Sequence, residues 1–121
     1  MAGLVFGRAT LKMDGAAVET EKGASLALGG ETRTTRKSSN RVVGYSAEPV
    51  EARVECKVLL QDGVTLETFR QATAVTLSFE TDTGQQYVVA NAWLVEPPKV
   101  TDGEGGGVDL IFEGPPAEEV I

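Results

Sequence analysis

Histidine is absent from these 121 residues, and cysteine occurs once, at Cys56. Without histidine the side chain that ordinarily titrates near neutral pH is missing, so nucleophiles built on Ser-His or Cys-His pairs are excluded. A lone thiol cannot close a disulfide within the chain, and without imidazole it leaves too few nitrogen and sulfur ligands for a structural zinc site. Long apolar runs are also lacking: the greasiest, Tyr87 to Val95, is broken by Asn91, and Arg8, Lys12 and Lys22 are not followed by a long apolar stretch. No signal peptide, membrane span or membrane insertion is therefore expected, and the chain should be soluble in the cytosol that makes it. Positive charge is scarce, with 11 Lys and Arg against 18 Asp and Glu, a net charge of -7 and a pI near 4.6. That balance argues against the sequence-independent grip on nucleic-acid phosphates that basic domains use.

What is present is alternation with period two. From Val50 to Val58, Val50, Ala52, Val54, Cys56 and Val58 share one face and Glu51, Arg53, Glu55 and Lys57 the other, the pattern of a half-buried strand. Arg8 to Met13 reads the same way through Ala9, Leu11 and Met13, and Val108 to Glu113 through Val108, Leu110 and Phe112. Val75, Leu77 and Phe79 alternate with Thr76, Ser78 and Glu80. After Asp82-Thr83-Gly84 the chain returns through Tyr87 to Val95, giving a hairpin whose second strand is apolar on both faces and so central. Asp14-Gly15, Asp62-Gly63 and Asp102-Gly103 supply turn pairs that tolerate positive φ.

Val64 to Ala72 is the stretch that reads as helical, with Asp62 as its cap and Leu66 and Phe69 on one face, about two turns that must pack on the sheets. Residues 101–107 form a Gly-rich loop, and Pro115-Pro116 opens an acidic tail over residues 115–121. At 41% hydrophobic residues the chain is sized for a single domain over residues 1–121, mainly antiparallel β, a sandwich or barrel with one short helix.

One stretch does not fit the alternation. Thr32 to Arg41, TRTTRKSSNR, carries Arg33, Arg36, Lys37 and Arg41 with no carboxylate and no apolar side chain, and is expected to be a long basic loop over residues 31–41. A purely solubilising loop has no need to be free of acids. The segregated charge points to an electrostatic clasp onto carboxylates of another copy of the chain.

Other candidates for chemistry are weak. Among the many Asp and Glu residues some pair will always look like an acid and base, and surface solubility explains them better. Residues 102–113 place acids at positions one, three and twelve of a calcium loop and Gly at six, but Gly106 stands at position five and the following stretch alternates as a strand. The glycines match neither the dinucleotide nor the phosphate-loop spacing. Cys56 reads as a small core residue. Tyr87 and Trp93, with Val89 and Asn91 between them, share one face by parity, which is core packing or, more sharply, a sugar-stacking platform. No catalytic residue, metal or cofactor is expected.

The order of parts resembles a known family. A Gly-rich start leads through a strand into Asp14-Gly15, then Leu26-Ala-Leu-Gly-Gly30, the Arg-containing stretch, Val43-Gly44-Tyr45 and the alternating strand from Pro49 to Val58. A short helix, Val75 to Glu80, Asp82 to Gly84 and Tyr87 to Ala92 follow. From about Gly7 to Gly114 this is similar to the tail tube proteins of Mu-like contractile-tailed bacteriophages.

The resemblance implies a β-sandwich or barrel flanked by one helix, assembled as hexameric rings that stack into the inner tube of a phage tail, through which DNA passes into the host. It implies a virion protein made in the bacterial cytoplasm, with tail sheath, tape measure, baseplate and tail terminator proteins as partners. The long loop of that family reaches an adjacent ring, and here Arg33, Arg36, Lys37 and Arg41 occupy its place. For the lumen or an intersubunit face the candidates are Glu51, Arg53, Glu55 and Lys57, and Thr76, Ser78 and Glu80. Alternatives are the tube of a phage-tail-like bacteriocin or type VI secretion system, a monomeric β-barrel binding a small ligand or sugar at Trp93 and Tyr87, and, with least support, a carboxylate-pair enzyme marked by a raised pKa in a cleft.

Overall fold

The alternating stretches pair into an eight-stranded antiparallel sheet folded over one core, and a separate two-stranded sheet projects from it. A computed structural model describes residues 3, 7–60, 65–100, 102 and 107–120. In chain order the elements are β1 (Ala9–Met13), β2 (Ala16–Val18), β3 (Ser25–Ala27), β4 (Gly30–Lys37), β5 (Val42–Val50) and β6 (Ala52–Leu59). After these come α1 (Glu67–Arg70), β7 (Val75–Thr81), β8 (Gln86–Leu94), β9 (Gly107–Gly114) and β10 (Glu118–Val120). The large sheet runs β2-β1-β7-β8-β9-β6-β3, with β10 added on β8.

Inward-facing residues come from the predicted apolar positions. Leu11 and Met13 of β1, Leu77 and Phe79 of β7, and Val89 of β8 meet Val54, Cys56 and Val58 of β6 and Val108, Leu110 and Phe112 of β9, all buried. Asp14 and Gly15, at φ 52 and 85, turn β1 into β2. Asp14 also ties that turn to β7, donating its amide to the Thr76 carbonyl (2.8 Å) and accepting the Thr76 amide on Oδ1 (2.9 Å). Beyond β2 the chain crosses to β6 through the Thr20–Val58 bridge and the bonds Glu21 N to Lys57 O (2.8 Å) and Leu59 N to Glu19 O (3.1 Å). The two ends of the sheet are thereby linked, and the sandwich approaches a barrel.

β8 holds the centre, as its apolar pattern predicts, and it serves both halves of the sheet. Its early part pairs with β7 on one side and β10 on the other, while Trp93 and Leu94 pair with Glu113 and Phe112 of β9. The transfer happens at a bulge where Asn91 takes φ 56, a left-handed conformation that Asn tolerates better than most side chains. Val89 and Ala92 are both buried across an interval of three residues, so the bulge reverses the parity of everything after it. Trp93 consequently faces outward at 42% exposure while Tyr87 packs against the core. The shared Tyr87–Trp93 face read from the sequence does not exist.

Further expectations change as well. The helix is a single turn rather than Val64 to Ala72, because the Ala72 carbonyl accepts the Leu94 amide (3.1 Å) and ends it, while Phe69 and Ala72 close one end of the core. Thr65 Oγ1 accepts the Glu67 amide (3.3 Å) at its start; the expected cap, Asp62, lies outside the described residues, as do Gly63, Val64 and residues 103–106 of the Gly-rich loop. The acidic tail re-enters the structure as β10, antiparallel to β8, with the Ala117 amide bonded to the Leu28 carbonyl (2.8 Å).

The largest correction concerns residues 31–41, which are not a loop. Gly30 to Lys37 is a strand paired along its length with Val42 to Val50, leaving only a short turn between them. No apolar alternation announces it because neither face meets the core, yet Thr32, Thr34, Thr35, Val42 and Val43 are β-branched and suit extended backbone. The strand read from Val50 to Val58 is accordingly two, since Val50 ends the projecting hairpin and β6 starts at Ala52.

Candidate assembly surface

At the root of the projecting arm the backbones pack too closely for a side chain. Gly29 sits at φ +75, and a Cβ there would lie 2.7 Å from the Ala52 amide nitrogen and 2.8 Å from the Val50 carbonyl oxygen. This crossing sets the direction in which β4 and β5 leave the folded sheet. At the tip, Ser38 builds the turn: its amide donates to the Arg41 carbonyl (2.9 Å), and its Oγ accepts the amides of Asn40 (3.4 Å) and Arg41 (3.3 Å). A bulge between Arg36 and Lys37 shifts the register next to Val43.

Register divides the arm into two faces. The pairs Glu31–Pro49, Arg33–Ala47 and Thr35–Tyr45 lie on one, where the Arg33 guanidinium stands 5.8 Å from the centre of the Tyr45 ring. On the other are Thr32–Glu48, Thr34–Ser46 and Arg36–Gly44, with Arg36 Nε donating to Ser46 Oγ (3.1 Å). One face thus carries Arg33 with the Tyr45 ring, the other Arg36 among hydroxyls, and each has one carboxylate, Glu31 and Glu48. Both are open, with Val42, Val43 and Tyr45 60 to 65% exposed. Each strand also has an unpaired edge, because this sheet contains only two.

The structure brings Arg33, Arg36, Lys37 and Arg41 onto one arm, and among the described residues none of them is in an ion pair. Some cations of the body are paired, while Arg8, Lys22, Lys57 and Lys99 are, among the described residues, as free of ion pairs as those of the arm. Arg53 bonds Glu55 (2.8 Å) and Glu113 across on β9 (3.1 Å), and Lys12 pairs with Glu80 (3.4 Å). The hydrogen bond to Glu55, followed by the charges of Glu55 and Glu113, raises the Arg53 pKa above its ordinary value. The two candidate lumen sets do not meet: Arg53, Glu55 and Lys57 lie on the outer face of β6, beside Glu51, and Thr76, Ser78 and Glu80 on the outer face of β7.

Little else here suits small-molecule chemistry. A cavity of about 580 Å³ beside Arg8, Glu21 and Lys22 has no aromatic side chain in its lining. Among the described residues no three His, Cys, Asp or Glu are grouped to hold a metal. Burial, and secondarily the charge of Asp109, pushes the Cys56 thiol up to about 11, so it is a core residue rather than a nucleophile. Sequence reasoning missed Tyr45, Ala47 and Pro49 as an arm face and Gly29 as its hinge point. The available signal was Ser38-Ser39-Asn40, a turn-forming group between two β-branched stretches.

Over its whole length the chain matches the sheath/tube terminator of the PVC extracellular contractile injection system in the extended state. The TM-score is 0.72 over 99% of that chain, with 9% identity, a likeness of fold. In sequence, residues 3–119 match the family described as phage tail tube protein. The tail tube protein of Escherichia phage Mu is 32% identical over 106 residues, covering 88% of this chain and 86% of that protein. The Mu-like prophage FluMu tail tube protein of Haemophilus influenzae is 38% identical over 96 residues, 79% of this chain and 80% of that one. The chain belongs to the phage tail tube protein family. It is a structural component of a phage tail, not an enzyme.

Proposed function

We propose that this chain is the subunit of hexameric rings that stack into the inner tube of a phage tail, and that DNA passes through that tube into the host. The observation that carries the reading is the arm: two strands with both faces and both edges uncovered, bearing four cations that have no carboxylate partner among the described residues. An isolated two-stranded sheet is marginal in water, so such an arm is made for a neighbouring subunit. Head-to-tail contacts of this kind propagate into a filament. Arg33, Arg36, Lys37 and Arg41 supply the contact between rings, and the tail sheath, tape measure, baseplate and tail terminator proteins are the heterologous partners.

For the lumen, the outer face of β6 and β9 is the better of the two candidates. Glu55, Asp109 and Glu113 there outnumber Arg53 and Lys57 by three to two, whereas on β7 and β1 Glu80 is balanced by Lys12. An acidic wall repels the DNA it conducts and keeps it from sticking.

Electron microscopy of the purified protein across a concentration series tests the reading. Rings or hollow tubes of uniform width are expected, either spontaneously or when baseplate-containing extract is added. Single subunits throughout, even with the extract, would overturn it.

A further inference from the structure

The arm is polarised along its length. Glu31 and Glu48 stand near its root, and Glu51 just beyond it, all exposed and, among the described residues, outside any ion pair. Arg33 and Arg36, followed by Lys37 and Arg41 at the tip, carry the opposite sign. Two arms lying side by side in the same direction and at the same level would set tip against tip and root against root, like charge on like. Displacing one along the other by six residues, roughly 20 Å of extended chain, brings Lys37 of one level with Glu31 of the other and Arg36 level with Gly30, between Glu31 and the Val50 that precedes Glu51. Six is an even number, so along β4, which carries no extra residue at the bulge, the displacement keeps each side chain on its own face. The Arg33–Tyr45 face of one copy then continues into the same face of the next.

We propose that the basic tip of one arm docks on the acidic root, Glu31, Glu48 and Glu51, of the arm of a second copy of this chain. Resting on the tube reading above, this names the acceptor of the inter-ring contact. The occupant is the chain itself, because the four cations and the acceptors Glu31 and Glu48 stand on one unpartnered element, with Glu51 next to it, and among the described residues none of them is in an ion pair. A contact between unlike ends of the same element is also heterologous, so each copy accepts one arm and offers another without limit.

Charge reversal on either side tests the pairing. The root-reversed protein (E31K/E48K/E51K) and the arm-reversed protein (R33E/R36E/K37E/R41E) are each expected to lose tubes under conditions where the unaltered protein forms them. The chain carrying both reversals is expected to regain tubes, and so is an equal mixture of the two single-sided proteins, in which every contact is again between unlike charges. Circular dichroism establishes that each variant is folded. The neutral set E31Q/E48Q/E51Q, read by the salt sensitivity of tube length, serves as the second variant should reversal disturb the fold, because it removes the acceptor charges without opposing the arm.

Normal tubes from the root-reversed protein would overturn this contact while leaving the tube reading intact. Rescue of the arm-reversed protein by E118K/E119K instead of the root reversal would overturn it as well, moving the acceptor to the C-terminal strand. If the unaltered protein stays as single subunits even with baseplate-containing extract, both readings fall together.

Discussion

The folded sheet and the arm are built from the same material, antiparallel strands of eight or nine residues such as β6 and β8 in the one and β4 and β5 in the other. In the sheet, alternate side chains vanish into the core, and Ala52, Val54, Cys56 and Val58 of β6 are all buried. On the arm nothing is fully buried, and only Gly30, Gly44 and Val50 are even partly covered. The comparison separates two uses of a strand. Sheet residues hold the subunit together, whereas arm residues contribute little to the subunit and are available to hold subunits to one another.

That contrast is broken or sharpened most strongly at the core. Phe112→Ala removes a side chain that is only 1% exposed at the heart of β9, and urea unfolding is expected to show a loss of about 3–5 kcal/mol. A small effect there would mean that the two halves of the sheet do not share one core.

The Cys56 thiol supplies a pH-dependent measure of the same core. Its pKa is raised to about 11 from an ordinary 9.0, so the unfolded chain releases the proton first as pH rises. This contribution to stability is intact below pH 9 and is lost as pH climbs from 9 towards 11, up to about 3 kcal/mol. Unfolding of the parent and of Cys56→Ala across that range isolates the contribution, since other groups titrate alike in both. Parallel pH profiles would place the thiol in water.

Gly29 tests the joint between the two regions. Gly29→Ala puts a methyl group against the Val50–Ala52 backbone at a positive φ, and is expected to cost roughly 1–3 kcal/mol and to disturb the direction of the arm. Thermal unfolding together with tube formation reads both effects. Unchanged stability would show that the crossing is looser than its geometry.

The smallest effect on the subunit, and the largest contrast with assembly, belongs to R33S/R36S/K37S/R41S. Its unfolding free energy should shift by less than ~0.5 kcal/mol, because none of these side chains is buried or ion-paired among the described residues, yet ring stacking should fail. Tubes of normal length from this protein would sink the arm's role without touching the family assignment.

How far each region could be read in advance follows from burial. Leu11 and Met13, Leu77 and Phe79, and Val108, Leu110 and Phe112 declare their strands because a one-sided core imposes period two on side chains. Asp14-Gly15 declares its turn because both residues must take positive φ. For the candidate assembly surface, the four cations and their segregation were legible as charge. Their placement on a paired strand was not, since a strand with no buried face bears no alternation. The same limit hid β10, whose residues are exposed, and the outward turn of Trp93, which depends on the bulge at Asn91.

By itself, then, the sequence determined the class of fold, the core positions, the exclusion of histidine-based chemistry and the resemblance to tail tube proteins, all of which rest on side-chain type and local period. Only the tertiary structure decided that residues 30–50 form an arm, which acids stand at its root, and that β8 passes from one half of the sheet to the other. Those features depend on which strands pair and where a register slips, and pairing between distant segments leaves no mark on either segment when neither faces the core.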